Sequence, residues 1–193
     1  MNQRNLMEVD WSKIPAPVDD GGAAHLVGMM IPPVSLVATD DTTVTLSALK
    51  GRTVAFAYPR TGEPGKIALV DDWDMIPGAR GCTPQTCAFR DLFAELKAAG
   101  ASQVFGLSTQ SNAYQTEMAS RLHLPFPVLS DEKLELSRAL NLPTMEVAGL
   151  TMIKRLAMTV DDGRIRHVFY PVFPPDRNAG DVLEWLKDNP VRM

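Results

Sequence analysis

Residues 81–91 of this 193-residue chain are G-C-T-P-Q-T-C-A-F-R-D, and they mark the start of the clearest helix in the sequence. Thr83 is a good N-cap residue and proline is favoured at the first helical position, so we predict a helix from Pro84 to Ala99. Its apolar residues have the i, i+3, i+4, i+7 spacing of a helix packed on a core: Phe89, Leu92, Phe93 and Leu96. Cys82 is therefore expected at the mouth of this helix.

The segments around this helix alternate between strand and helix patterns. Thr53–Tyr58 and Gln103–Ser108 are β-branched and apolar, as buried strands are. Leu156–Val160 and Ile165–Tyr170 flank an Asp-Asp-Gly turn and predict a β-hairpin. The other predicted elements are strands at Val34–Ala38, Val44–Leu49 and Phe126–Leu129, and helices at Asn112–Leu122 (behind a Ser111 cap), Leu134–Leu140 and Gly180–Lys187. This order predicts an α/β protein whose central mixed β-sheet is flanked by helices.

The chain divides into a leader and one domain. Residues 1–24 contain Pro and Gly with few periodic apolar positions and are expected to be irregular, and residues 25–193 form the domain. Within it, residues 63–79 are a Gly- and Pro-rich insertion between a strand and the best helix. Loops of this length inside a domain are usually functional or flexible. Two interpretations are open: the insertion covers a pocket or serves an interface, or it is a surface excursion that packs Trp73 on the domain.

Composition excludes several classes of function. The net charge is −4 and no basic stripe occurs, so nucleic-acid binding is not expected. No apolar run approaches the roughly 20 residues that span a bilayer, and Met1–Asp10 lacks the apolar region of a secretory signal, so we expect a cytoplasmic protein. The two cysteines and three scattered histidines do not have the spacing of a zinc site, and we expect no metal and no other cofactor.

The position of Cys82 favours reactivity. Backbone N–H groups and the positive end of the helix dipole stabilise a thiolate at a helix start. A thiolate that attacks the O–O bond of a peroxide becomes a sulfenic acid. The alternative is that Cys82 and Cys87 are simply small buried residues.

Cys87 lies nearly opposite the apolar stripe, where a structural cysteine is less often found. Such a cysteine can condense with a sulfenic acid at Cys82 to form a disulfide. On an intact helix, residues five apart have Cα atoms roughly 8–9 Å apart, and a disulfide needs less than about 7 Å. We therefore predict that the first turn of the helix unwinds during each cycle.

The stretch Gly81–Asp91 resembles the active site of the peroxiredoxins, most closely the Q-type group (bacterioferritin comigratory proteins). The resemblance extends from about Gly28 to Trp185. It implies a thioredoxin-like fold, with Cys82 as the peroxidatic residue and Cys87 as the resolving residue. It also implies an arginine near the thiolate. Arg155 matches this position if the following hairpin turn is one residue shorter than usual in the family, and Lys154 matches it otherwise. We favour Arg155, since a guanidinium stays charged and donates two hydrogen bonds.

The resemblance also implies substrates and partners. A hydrogen peroxide or small organic hydroperoxide is the expected substrate, and thioredoxin or a similar dithiol is the expected reductant. The relatives imply a monomer or a weak homodimer.

The chain departs from the family pattern at one position. The pattern Pro-x-x-x-Thr-x-x-Cys places a threonine three residues before the peroxidatic cysteine, where this chain has Ala79. Pro59 and Thr61 keep the beginning of the pattern and are the expected substrate-binding residues, with Thr61 folding back over the insertion. Thr83 is the other candidate hydroxyl. The backbone N–H of Cys82 and Arg155 are expected to polarise the peroxide.

Three other functions compete with the peroxidase. A thioredoxin-type oxidoreductase would have C-x2-C at the helix start, which is absent. A binding or regulatory domain that has lost the chemistry would fit the alanine at position 79. A redox sensor would share the chemistry and pass its oxidation to a partner.

Overall fold

The structure is a computed structural model that describes residues 6–191. The strands are β1 Ser35–Ala38, β2 Thr43–Thr45, β3 Arg52–Ala57, β4 Gln103–Ser108, β5 Val128–Ser130, β6 Thr144–Val147, β7 Leu150–Ile153, β8 Leu156–Asp161 and β9 Arg164–Phe169. The helices are α1 Cys82–Asp91, α2 Phe93–Ala98, α3 Asn112–Arg121, α4 Glu135–Ala139 and α5 Asn178–Asp188. Short 3-10 turns occur at Trp11–Lys13, Leu46–Ala48, Trp73–Met75 and Pro175–Arg177.

Seven strands form one mixed sheet in the order β2-β1-β5-β4-β3-β8-β9. The pairs β3–β4 and β4–β5 are parallel, and β3–β8, β8–β9, β1–β2 and β1–β5 are antiparallel. The predicted α/β class and the β8–β9 hairpin are confirmed. Parallel neighbours joined through helices place the ends of β3 and β4 at the same edge of the sheet, beside the start of α1.

The central strand β3 separates two apolar cores. All six of its residues are buried, as expected for a strand covered on both faces. Val54 and Phe56 point to the face that carries α1, α2 and α5, and Ala55 and Ala57 point to the other. The ring of Phe56 stacks on Phe89 of α1, with 4.0 Å between the ring centroids. Such a pair contributes about 0.5–1.5 kcal/mol beyond burial, and it fixes α1 on the sheet.

The predicted helix Pro84–Ala99 is two helices in the structure. The backbone tightens at Leu92, whose N–H reaches the carbonyls of both Ala88 and Arg90, and α2 begins at the next residue. Phe89 and Leu96, on the two sides of the break, are both fully buried. The apolar stripe is thus retained while the helix bends over the core, and no Gly or Pro marks the bend in the sequence.

The hairpin β6–β7 forms a separate two-stranded sheet that the sequence analysis did not identify. Its turn is Ala148-Gly149, and both residues have positive φ (51° and 75°). Positive φ at both central residues is the signature of a type I′ hairpin turn. Val147 and Met152 of this hairpin pack with Trp73 and Ala79 of the insertion in a small apolar cluster. The insertion therefore packs on the hairpin.

The described part of the leader runs along the face that carries the start of α1. Its one regular element is the turn Trp11–Lys13, capped by the side chain of Asp10. Further along, Asp20 accepts hydrogen bonds from Lys154 Nζ at 2.6 Å and from the Tyr170 hydroxyl at 2.7 Å. These bonds hold the pKa of Asp20 well below its ordinary value.

Between residues 6 and 191, none of the helices combines the length and the apolar character that a bilayer-spanning segment needs.

Candidate active site

A glycine sets the start of α1. Gly81 is the N-cap residue and has φ +105°, a left-handed conformation that favours glycine. A β-carbon there would lie 2.6 Å from Pro175 Cγ and 2.7 Å from Trp11 Cη2. The predicted N-cap at Thr83 is wrong, because Gly81 turns the chain two residues earlier and Thr83 lies inside the first helical turn. Cys82 is consequently the first residue of the helix.

The Cys82 thiol is almost completely buried, with 3% of its surface exposed. Its Sγ lies 3.6 Å from the carbonyl oxygen of Ala79 and 3.2 Å from Nη2 of Arg155. The N–H groups of the first helical turn have no acceptor within the helix, and they add positive potential at the sulfur. The arginine contact and the helix start are suited to a thiolate, whereas the Ala79 carbonyl accepts a hydrogen bond from the protonated thiol.

Arg155 lies immediately before β8 and is 2% exposed. Its Nη2 donates to the carbonyls of Gly78, Ala79 and Arg80 at 3.1, 3.3 and 3.1 Å. No carboxylate pairs with it anywhere in residues 6–191. A buried cation without an anionic partner is costly, and the Cys82 sulfur at 3.2 Å would supply the missing negative charge as a thiolate.

Lys154, the alternative partner, is not at the sulfur. Its Nζ forms an ion pair with Asp20 at 2.6 Å, on the surface of the domain. The structure thus brings Arg155 and Cys82 together, and Lys154 pairs with Asp20 of the leader instead.

Two residues of this site were not singled out from the sequence. Gln85, one helical turn after Cys82, accepts a hydrogen bond from Arg155 Nη1 at 2.5 Å. The Gln85 amide nitrogen donates to Asn178 Oδ1 at 2.9 Å. Gln85 stands inside the quoted stretch 81–91, so its place near Cys82 was available in the sequence, whereas nothing there indicates Asn178 at the start of α5. These bonds orient the guanidinium from the helix side.

Cys87 is also a free thiol and is 2% exposed. It belongs to none of the apolar clusters formed by the described residues, in agreement with its predicted position off the stripe. The sulfur of Met7, in the leader, lies 3.7 Å from Cys87 Sγ. Burial raises the pKa of the Cys87 thiol above its ordinary value, and Arg90 opposes that shift only in part. The two cysteines thus differ in environment: of the two, Cys82 alone has a guanidinium within hydrogen-bond distance among residues 6–191.

A cavity of about 400 Å³ opens over Cys82. Its walls combine the insertion (Ile67, Leu69 and Trp73), the leader (Leu6) and the start of α1. Trp73 is therefore both packed on the domain and part of the cavity wall, so the two interpretations of the insertion are compatible for this residue. Nothing in the described residues tests a role at an interface.

Both candidate hydroxyls line this cavity. Thr61 is buried, and its hydroxyl donates to Gln110 Oε1 at 3.1 Å. Thr83 also lines the cavity, and within the described part of the chain its hydroxyl makes no hydrogen bond. Pro59 lies outside the lining; its carbonyl accepts a hydrogen bond from Ser108 Oγ at 3.2 Å.

The described residues contain no group of three or more His, Cys, Asp or Glu side chains placed to hold a metal ion.

Fold and site together define a thioredoxin-like α/β protein with a buried cysteine at a helix start and an arginine at the sulfur. A family model described as Redoxin matches residues 26–183. The chain belongs to the redoxin family and, within it, to the Q-type peroxiredoxins.

The relatives agree with this placement. Peroxiredoxin Q, chloroplastic, from Oryza sativa subsp. japonica is 29% identical over 161 residues, which cover 83% of this chain and 66% of the rice protein. The chain thus spans slightly less than two thirds of that relative. The crystal structure of peroxidoxin BcpB from Mycobacterium tuberculosis is 25% identical, with a TM-score of 0.66, over 86% of this chain and 98% of that one. A Xanthomonas campestris peroxiredoxin Q structure, 22% identical with a TM-score of 0.64 over 91% and 98%, shares the fold.

Proposed function

We propose that the protein is a thiol-dependent peroxidase that reduces hydrogen peroxide and small organic hydroperoxides. The observation that carries the proposal is the 3.2 Å contact between Cys82 Sγ and Arg155 Nη2 at the start of α1, with no carboxylate on the arginine among residues 6–191. A sulfur held in this way is suited to exist as a thiolate, which is the nucleophile in peroxide chemistry. The reaction needs no metal or organic cofactor.

In the first step, the Cys82 thiolate attacks one oxygen of the hydroperoxide. The S–O bond forms, the O–O bond breaks, and the second oxygen leaves with a proton as water or an alcohol. The sulfur is oxidised to a sulfenic acid and the peroxide is reduced. Arg155 and the first N–H groups of α1 stabilise the charge that develops on the oxygens.

A hydroxyl in the cavity orients the peroxide. It replaces the threonine of the family pattern, whose position is occupied here by Ala79. We assign this role to Thr83, because its hydroxyl makes no other hydrogen bond within the described residues and shares the cavity with Cys82. Thr61, whose hydroxyl is engaged by Gln110, is the second candidate. Thr83→Val is expected to slow Cys82 oxidation by about tenfold, as the loss of one transition-state hydrogen bond does, and Thr61→Val to slow it less. The reverse order would transfer the role to Thr61.

In the second step, the Cys87 thiolate attacks the Cys82 sulfur. The S–S bond forms, the S–O bond breaks, and the hydroxide leaves as water after taking a proton. Since both residues lie in α1, the first turn has to unwind for their Cα atoms to come within about 7 Å.

A dithiol such as thioredoxin then reduces the disulfide by exchange and is itself oxidised. One solved relative, the Xanthomonas campestris bacterioferritin comigratory protein, is described as having alkyl peroxide reduction activity. This supports an organic hydroperoxide as a substrate class here.

A monomer or weak homodimer without nucleic-acid or membrane partners remains part of this proposal, and sedimentation velocity at micromolar concentration tests the oligomeric state.

We also propose a reducing compartment such as the cytoplasm, because a catalytic thiol pair has to be returned to its reduced form. The rice relatives are named chloroplastic, and a fluorescent fusion to the full chain would distinguish the two locations.

Steady-state turnover with thioredoxin, thioredoxin reductase and NADPH tests the proposal. Wild type should consume NADPH when hydrogen peroxide is added, and mass spectrometry should find a Cys82–Cys87 disulfide. Cys82→Ser should abolish turnover. A Cys82 that is oxidised but is not reduced by thioredoxin would favour the redox sensor, and a Cys82 that is not oxidised would favour a binding domain.

A further inference from the structure

The leader contacts Gly81, the N-cap of α1, and Cys87 within α1, although it precedes the region that matches the redoxin family, residues 26–183. We call residues 6–20 the N-terminal strap. The indole of Trp11 packs directly on Gly81, where a β-carbon would lie 2.7 Å from Trp11 Cη2. Pro175 Cγ would lie 2.6 Å from the same β-carbon. Trp11 and Pro175 thus both pack against Gly81, one residue before Cys82.

Trp11 is itself anchored. Its Nε1 donates to Asp176 Oδ2 at 3.1 Å. Its ring meets the Phe173 ring edge to face, with 6.0 Å between centroids. Asp10 caps the short turn that carries Trp11. The indole is therefore fixed from the domain side and from the strap side.

The two ends of the strap are attached as well. At one end Met7 Sδ lies 3.7 Å from Cys87 Sγ, and Leu6 lines the cavity over Cys82. At the other end Asp20 bonds Lys154 and Tyr170 at 2.6 and 2.7 Å. The strap thus covers Cys87 and the helix start in the conformation that cannot form the disulfide.

We propose that Trp11 is a positioning residue for the resolving step: the strap keeps the first turn of α1 folded and Cys87 covered, and it has to lift before Cys87 reaches Cys82. The inference rests on the proposed function for the role of Cys87. Peroxide enters by the cavity, so the first oxidation does not need the strap to move. The strap therefore lengthens the life of the sulfenic acid and sets how often it meets another thiol or a second peroxide before resolution.

The rate at which N-ethylmaleimide modifies Cys87 tests whether the strap covers this thiol, and the measurement needs no peroxide. In a Cys82→Ser background, N-ethylmaleimide modifies Cys87 only when the cover opens, so the rate reports that opening. Trp11→Ala and Met7→Ala should each raise the alkylation rate by about tenfold. Val18→Ala is the matched control, because Val18 belongs to the same strap and is 83% exposed; its rate should equal that of the parent. Equal rates for Trp11→Ala and Val18→Ala would overturn the inference.

The two chemical steps separate positioning from a general loss of structure. With both cysteines present, Trp11→Ala should leave Cys82 oxidation by hydrogen peroxide within about twofold and speed disulfide formation by about tenfold. Trp11→Phe should restore most of the wild-type resolving rate, since a ring still packs on Gly81. Asp176→Ala, which removes only the indole anchor, should give a smaller acceleration. An equal slowing of both steps in Trp11→Ala and in Asp176→Ala would contradict the inference.

Failure of the strap and failure of the peroxidase are distinguishable. If Cys82 does not react with peroxide, the proposed function fails while the alkylation result still reports the strap. If Cys82 reacts and alkylation of Cys87 is unaffected by Trp11→Ala, the peroxidase stands and the strap fails.

Discussion

Two buried arginines lie at opposite ends of the same pair of strands, and their surroundings differ. Arg52 begins β3 opposite Asp161 of β8, and Arg155 precedes Leu156, which pairs with Ala57 at the other end. The Arg52 guanidinium is 5% exposed and is paired with both oxygens of Asp161, at 2.7 and 2.8 Å. It also bonds the Asn189 carbonyl and lies over the ring of Trp185. The Asp161 carboxylate neutralises the cation.

Arg155 is as deeply buried, but no carboxylate neutralises it within residues 6–191. It is surrounded by carbonyls, by Gln85 and by the Cys82 sulfur. Carbonyl dipoles position a guanidinium and leave its net charge in place. Burial alone therefore does not distinguish a structural arginine from a functional one, whereas the presence or absence of an anionic partner does.

The largest expected effect is on the rate of Cys82 oxidation. Arg155→Met should lower the second-order rate constant with hydrogen peroxide by about 100- to 1,000-fold, because it removes a donor that stabilises charge in the transition state. Arg155→Lys should recover only part of that loss, since an ammonium cannot reproduce the geometry of a guanidinium. Stopped-flow measurement of the reduced proteins checks both. The matched control is Arg52→Met, which should stay within about threefold of wild type. An equal loss in this control would show that the effect is not specific to the arginine at Cys82.

The free energy of unfolding should fall more for Arg52→Met than for Arg155→Met, which is the opposite of the order expected for the oxidation rate. Arg52→Met leaves Asp161 without its main partner, and we expect the free energy of unfolding to fall by about 2–4 kcal/mol. Arg155→Met loses hydrogen bonds but also removes a buried uncompensated charge, so the change should stay within about 1 kcal/mol. Urea unfolding of the reduced proteins measures both. A larger loss for Arg155→Met would mean that Arg155 is mainly structural.

The pH dependence of the resolving step sharpens the contrast between the two cysteines. Burial raises the pKa of Cys87, so its thiol is neutral around pH 7 and the attacking thiolate becomes more abundant as pH rises. Disulfide formation after a fixed pulse of peroxide should therefore accelerate by about tenfold per pH unit and continue to rise past the ordinary thiol pKa. Quenched-flow thiol counting measures the rate. A plateau below the ordinary value would show that Cys87 is not held as a buried neutral thiol.

The smallest expected effect comes from the hydrogen bond between Gln85 and Asn178, which reaches Arg155 only through Gln85. Asn178→Ala removes the partner of Gln85, and we expect Cys82 oxidation to slow by about threefold. Gln85→Ala should slow it more, because Gln85 touches the guanidinium directly. Combining the two substitutions should add little to Gln85→Ala alone, and stopped-flow rates of the three variants provide the double-mutant cycle. Fully additive losses would show that Asn178 does not act through Gln85.

Local patterns predicted most of the sheet and the helices. The β-branched run at 53–58, the Ser111 cap and the Asp161–Gly163 turn each determine an element through nearby residues, and each appears in the structure. Arg155 was reached through the family resemblance, and its contact with Cys82 depends on β8 lying beside β3. The hairpin β6–β7 was missed because its turn, Ala148-Gly149, lacks the Asn-Gly or Asp-Gly pair that marks a type I′ turn in a sequence.

Features that depend on distant parts of the chain were not accessible in this way. A β-carbon at position 81 is excluded by Trp11 and Pro175, which lie 70 and 94 residues away in sequence. Asn178 reaches the site through Gln85, and Met7 covers Cys87, from similarly distant positions. Single-sequence patterns report local preference, and these contacts are created by packing.

The central claim is that Cys82 is a peroxide-reactive thiol, and stopped-flow oxidation of reduced Cys87→Ser protein by hydrogen peroxide tests it most directly. A sulfenic acid trap followed by peptide mapping locates the product. We expect fast loss of the one remaining thiol, first order in peroxide, with the trap on Cys82 and the rate well above that of free cysteine under the same conditions. A Cys82 that reacts no faster than free cysteine would contradict this claim.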